Sequence, residues 1–136
     1  MGNAMTAKDL GKVQNYLGLL NSAKTAFFPN RLMEISNTNP TQTAKKLNVS
    51  RPNLYKKEVS IKGDKELARK IVDLVVVGDL VYELLGGSID QTIIWLTEPN
   101  LDFFGDSPFE ICLRGDGKKL IEWLYVRSGK KPGVAF

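Results

Sequence analysis

The sequence predicts an all-α fold: an N-terminal helix-turn-helix bundle, joined by a long helix to a small C-terminal helical unit. Three stretches carry this expectation. Residues 88–129 are punctuated as three successive helices, each with its own start and stop signals. Residues 64–85 step Leu67, Ile71, Leu74, Gly78, Val81 and Leu85 by four and three alternately, the spacing of one helical face. Residues 41–57 follow the small–apolar–turn–apolar pattern of two short helices that cross at a tight turn. The expected division is residues 1–63, with the helix-turn-helix at 41–57, and residues 64–136, with the C-terminal unit at 88–129.

Residues 1–9 carry no periodicity. The opening MGNAMT satisfies the short myristoylation pattern through Gly2 and Thr6, and Met5 is an equally good start of translation. Over residues 10–28, Val13, Leu17, Leu20, Ala23 and Ala26 recur at three or four, predicting an amphipathic helix that Gly11 and Gly18 weaken. Pro29 suits the first turn of a second helix, PNRLMEIS, with Leu32, Met33 and Ile35 as its apolar contributors. Residues 37–40 read as a turn cluster.

In the helix-turn-helix pattern, Ala44 is small where two helices cross closely, and Leu47, Val49 and Leu54 supply buried contacts. Asn48 stands where the turn needs a positive φ, which asparagine tolerates best after glycine. Ser50 is placed to cap the second helix, and Pro52 falls within its first turn. In the DNA-binding version of such a motif, the second helix enters the major groove with its N-terminal residues facing base edges. Ser50, Arg51, Asn53, Tyr55 and Lys56 occupy those places. Arg51 is the candidate for a guanine, since its fork bonds two acceptors at once. Lys45, Lys46, Lys57 and Lys62 are candidates for phosphate contacts, which raise affinity without reading sequence. The alternative is a basic hairpin with a structural role alone.

The 64–85 stripe fits a helix packed lengthwise on a partner, either in a homodimer seam or against the C-terminal helices. Gly78 would admit another backbone there, and Gly86-Gly87 stop the helix. Ser88 and Gln91 have capping-box spacing, and Pro99 ends the helix at Glu98. Ser107, Pro108 and Glu110 start the next helix; Asp116 can cap a third and Gly129 close it. Ile93, Ile94 and Leu96 form the first apolar face, with Trp95 able to anchor a core or an interface. The apolar loop of Leu101, Phe103 and Phe104 is expected to tuck inward. Leu120, Ile121, Leu124 and Val126 supply the last helix, with Trp123 near its polar side. The tail KKPGVAF is basic and then apolar, a segment that could order on a partner.

Composition narrows the function classes. At 43% apolar and 25% charged, the chain is an ordinary globular protein, and no apolar run exceeds four residues. No secretory leader is visible, so a cytoplasmic protein is expected. Cys112 is the lone cysteine, expected as a buried inert thiol, and there is no histidine. Ser–His and Cys–His catalysis are therefore impossible, and a zinc site would rest on carboxylates alone. A binding protein without metal or cofactor is expected rather than an enzyme. Residues 1–73 carry 13 Lys+Arg against 6 Asp+Glu (+7); residues 74–136 carry 6 against 9 (−3), summing to +4. A basic half joined to an acidic half suggests a polyanion for one and a different partner for the other, unless it is chance clustering of surface charge.

The residues now assembled resemble a known family. A helix-turn-helix followed by WL-x-x-PN (Trp95-Leu96, Pro99-Asn100), an apolar stretch, Gly105, Ser107-Pro108, Gly117 and a closing helix ending in Gly129 resembles the Xre–MbcA–ParS antitoxins. Asp64-Lys-Glu-Leu-Ala-Arg69 resembles the lead into that family's long helix, and the likeness spans residues 41–129. Phe104 stands before Gly105 where the family more often has a glycine or smaller residue, and Arg51-Pro52-Asn53 is atypical for its recognition helix. The resemblance implies a type II antitoxin with an Xre-like DNA-binding part and a C-terminal toxin-binding part. Its partner would be a RES-domain toxin that consumes NAD and is encoded beside it. The antitoxin would bury the toxin's active site, and the pair would repress its own operator. The toxin-binding residues expected on this basis are Trp95, Asn100, Trp123, Arg127, Lys130 and Lys131, in a homodimeric protein. The second expectation is a helix-turn-helix transcriptional regulator with no toxin partner.

Overall fold

The structure, a computed structural model, describes Leu10 and residues 12–129. In chain order these form β1 (Ala26–Phe27), α1 (Pro29–Ser36), α2 (Pro40–Leu47), β2 (Val59–Ser60), α3 (Lys65–Leu84), α4 (Ile89–Thr97), α5 (Pro108–Leu113) and α6 (Gly117–Ser128). Two 3₁₀ segments, Arg51–Tyr55 and Leu101–Phe103, complete the set. The protein is mostly helical, with one small antiparallel sheet.

Helix α3 organises everything else. Asp64 starts it, its Oδ1 accepting the Leu67 N–H at 3.1 Å. From Leu74 to Val81 every residue is buried, so the middle of the helix is wrapped on all sides rather than along one stripe. One cluster of buried side chains, from Val13 through Phe27, Leu47 and Leu74 to Leu96 and Tyr125, encloses it. The homodimer seam considered for α3 is thus taken up within the chain. Full burial of a side chain such as Ile71, Leu74 or Leu80 contributes about 1.5–3 kcal/mol. Gly78 makes room for a side chain and not for a backbone: a Cβ there would lie 2.4 Å from Leu17 Cδ1.

The N-terminal segment departs from expectation. Residues 12–28 contain no helix, although Val13, Leu17 and Leu20 are buried as their spacing suggested. Asn15 (φ 62°), Gly18 (φ 69°) and Lys24 (φ 58°) take left-handed angles, which break any helix. Side chains replace the helical hydrogen bonds. Asn15 Oδ1 accepts from the Leu19 and Leu20 N–H groups, and Asn21 Oδ1 from those of Thr25 and Ala26. The buried Asp79 of α3 accepts from the N–H groups of Gln14 (2.8 Å), Asn15 (3.2 Å) and Tyr16 (2.9 Å). The segment then enters β1, which pairs Ala26 with Ser60 and Phe27 with Val59.

Helix α1 forms where PNRLMEIS predicted it, with Leu32 and Ile35 buried. The expected turn cluster at 37–40 is also a helix start. Asn39 Oδ1 accepts the Gln42 N–H at 2.8 Å, while Gln42 Oε1 accepts the Asn39 N–H at 3.2 Å, a reciprocal capping box. Asn48 ends α2 at φ 56° as anticipated. The second helix of the motif does not form as an α-helix: it is a five-residue 3₁₀ segment, and Ser50 makes no side-chain cap bond. Leu54 still reaches the interior, fully buried.

The C-terminal starts and stops fall where the sequence placed them, although the serine caps are one-way bonds and Asp116 makes none. Ser88 Oγ accepts the Gln91 N–H and Ser107 Oγ the Glu110 N–H, both at 3.1 Å. Glu98 caps the end of α4, and Gly129 closes α6 at φ 76°. Asp116 precedes α6 without capping it, because its carboxylate pairs with Arg114 instead. Gly117 begins α6 against α3; a Cβ there would lie 2.7 Å from Asp73 Cβ.

Candidate functional site

Two surfaces gather the residues singled out from the sequence. The first is the end of α2 with the 3₁₀ segment after it. Ser50, Arg51, Tyr55, Lys56, Lys57 and Lys45 are exposed, and Asn53 is half-buried. Arg51 leans along the segment: its Nη2 donates to Tyr55 Oη at 3.1 Å and its guanidinium lies 5.9 Å from the ring centre. Lys46 is differently placed. Its ammonium pairs with Glu110 of α5, and its carbonyl accepts from Lys70 Nζ at 3.2 Å. It ties the basic hairpin to α3 and α5 instead of pointing into solvent.

The second surface lies on α4, α6 and the loop between α4 and α5. Trp95 on α4 and Trp123 on α6 stack at 6.3 Å between ring centres, inclined by 30°. Phe103 meets Trp123 edge-on at 5.1 Å and Trp95 at 6.3 Å, closing a three-ring cluster. Such contacts contribute about 0.5–1.5 kcal/mol each beyond the area they bury. Arg127 lies over Trp123 with its guanidinium carbon 3.4 Å from the ring centre, and its Nη1 donates to the Trp123 carbonyl at 3.3 Å. Lys130 and Lys131, together with the tail, lie outside the described residues.

The loop does not tuck inward as a whole. Phe103 does, but Leu101 is 95% exposed and Phe104 fully exposed. Ile94 (49%) and Val126 (72%), expected in the core, also face outward. Asn100 holds the loop in shape: its carbonyl accepts the N–H groups of Phe103 (3.0 Å) and Gly105 (2.9 Å). Its Oδ1 accepts the Asp102 N–H (2.9 Å), and its own N–H donates to the Asp106 carbonyl (3.1 Å). Asn100 therefore shapes the surface through the groups expected to meet a partner. Arg114 fastens the far side, with Nη1 on Asp106 Oδ2 and Nε on Asp116 Oδ2, each at 3.0 Å. Phe104 closes the 3₁₀ segment at φ 58°, a conformation that costs a bulky residue about 1–2 kcal/mol.

Between this loop and α6 runs a cleft of about 280 Å³, with Phe103, Phe104 and Trp123 as aromatic walls and Asp102, Arg114 and Lys119 among its polar lining. Sequence reading missed Arg114 and the partnership of Phe103 with both tryptophans. The only cue was Arg114 falling between Asp106 and Asp116.

No group of three His, Cys, Asp or Glu suited to a metal exists among the described residues. Cys112 is buried beside Asp73, and that environment pushes its thiol well above the usual range. Burial pushes the Asp73 carboxyl up to about 6, against the pull of Arg69 and Lys118. Burial likewise raises Asp79, although three backbone N–H groups oppose the shift. Asp73 packs against the start of α6, and Asp79 against the backbone of residues 14–16. No helix among the described residues is long and apolar enough to cross a membrane. No family model, no curated protein and no solved structure matches this chain.

Proposed function

We propose that this chain is the antitoxin of a type II toxin–antitoxin pair, covering the active site of a RES-domain, NAD-consuming toxin with its C-terminal surface. One observation carries the reading. The motif residues behind the family resemblance support one surface from within and without: Trp95 stacks in the ring cluster, Asn100 holds the loop, Ser107 caps the start of α5 and Gly129 the end of α6. A protein that acts by covering another's site needs a preformed surface and no catalytic groups of its own. On this reading residues 88–129 are the toxin-binding part and residues 41–57 the Xre-like part, in a cytoplasmic protein that assembles with its toxin on operator DNA. A homodimer would then use a face other than the interior of α3. The test is co-expression with the product of the adjacent reading frame. The two should purify together and growth should recover.

The exposed Arg51, Lys45, Lys56 and Lys57 favour DNA binding as the second activity, alone in a plain regulator or combined with toxin binding in an antitoxin. A five-residue 3₁₀ segment presents less surface to a major groove than a full recognition helix, so phosphate contacts should dominate. Arg51→Ala combined with Lys56→Ala should abolish the mobility shift on the protein's own promoter and leave toxin binding intact. Unchanged DNA affinity would remove this hairpin from the DNA interface.

A further inference from the structure

We propose that the loop from Asn100 to Asp106 is a docking finger, whose Phe104 and Leu101 enter an apolar socket rimmed by basic residues on the partner protein. The inference rests on the antitoxin reading and names the contact that would anchor it. Three observations converge on this loop. Phe104 and Leu101 are the two most exposed large apolar side chains among the described residues, and they sit three positions apart on one short turn. The turn is not slack: hydrogen bonds to Asn100 from inside and the Arg114 clamp from outside hold its shape before any partner arrives. Phe104 also keeps a left-handed backbone that asparagine or glycine would adopt with less strain. Strain retained at a fully exposed aromatic is the pattern of a contact made elsewhere. A rigid aromatic anchor loses little entropy on docking, which is why such residues dominate binding energy at interfaces.

Charge identifies the kind of partner. Residues 71–113 contain eight carboxylates (Asp73, Asp79, Glu83, Asp90, Glu98, Asp102, Asp106 and Glu110) and not one Lys or Arg. Glu98 and Asp102 flank the finger, both exposed; Arg114 behind it is committed to Asp106 and Asp116, and Lys119 lies across the cleft on α6. Exposed carboxylates beside an apolar tip disfavour nucleic acid and anionic lipid surfaces and suit a protein socket with a cationic rim.

The experiment uses the full chain and, as probe, the purified product of the adjacent reading frame, with affinity measured at low and high salt. Phe104→Asn suits the left-handed position and removes the ring; Leu101→Ser removes the second apolar contact. Each should weaken binding at least about thirty-fold while leaving the urea unfolding midpoint at or above that of the wild type. Glu98→Gln with Asp102→Asn should weaken binding at low salt and converge on the wild type at high salt. If Phe104→Asn and Leu101→Ser bind as tightly as the wild type, the finger is not the anchor, and the antitoxin reading stands without it. If the wild-type chain does not bind the probe at all, both fall. Association of the wild type, but not Phe104→Asn, with phosphatidylcholine vesicles would overturn the protein socket in favour of lipid.

Discussion

Asp73 and Asp79 lie nearly two turns apart on α3, and each carboxyl is shielded from water by a different segment. Asp79 satisfies three backbone donors of a segment that has no helix to satisfy them, so its charge holds residues 14–16 in place. Asp73 packs against Gly117 and has its carboxyl raised to about 6 by burial. The direction of its effect follows from linkage. The folded state holds the Asp73 proton more tightly than the unfolded chain, whose ordinary value is 3.8, so this residue's contribution falls as pH rises from about 4 to about 6. Asp73→Asn removes that cost. It should be more stable than the wild type by about 3 kcal/mol at pH 7.5, with the advantage vanishing near pH 4. Paired urea titrations across that range check it, and a pH-independent difference would show that Asp73 ionises without penalty. Neither acid could be located from sequence, because each sits on a helix face whose burial depends on segments far away in the chain. Asn48 could be, because its left-handed angle is a property of the tight turn itself.

At the scale of elements, local signals succeeded where they were self-contained. Ser88, Ser107, Pro99 and Gly129 mark the ends of α4, α5 and α6 because a cap and a stop act within one turn of the chain. The helix anticipated over residues 10–28 does not run through residues 12–28, because apolar spacing of three and four also arises in a loop whose alternate turns face the same core. The asparagines and glycines in that stretch were the contrary evidence. Leu17 shows what the segment does instead, filling the notch that Gly78 leaves in α3. Gly78→Ala would gain about 1 kcal/mol of helix propensity and force a buried methyl against Leu17. A net loss of about 1–2 kcal/mol is expected, read from the urea midpoint. Stabilisation would mean that Leu17 can move aside freely. The 3₁₀ segment Arg51–Tyr55 departs from the expected helix for a related reason: the motif pattern fixes where Leu54 is buried, not how the backbone around it is wound.

Across the whole molecule, one core joins the basic half to the acidic half, and Lys46 pairs with Glu110 across them. The helical class and the long central helix were legible because periodicity and capping repeat over many residues. The aromatic cluster was half legible. Trp95 and Trp123 were singled out by size and motif, whereas their closure by Phe103 required the loop's actual path. The outward display of Leu101 and Phe104 ran against the ordinary preference of apolar residues for the interior, which no local signal could reverse. That same departure gives the acidic end an apolar tip, and the proposed antitoxin role rests on the face around it. The most direct measurement is co-expression of the full chain with the product of the adjacent reading frame, scoring growth and co-purification together. The account predicts that growth is restored and the two proteins elute as one complex. A neighbour that remains toxic and elutes alone would contradict it.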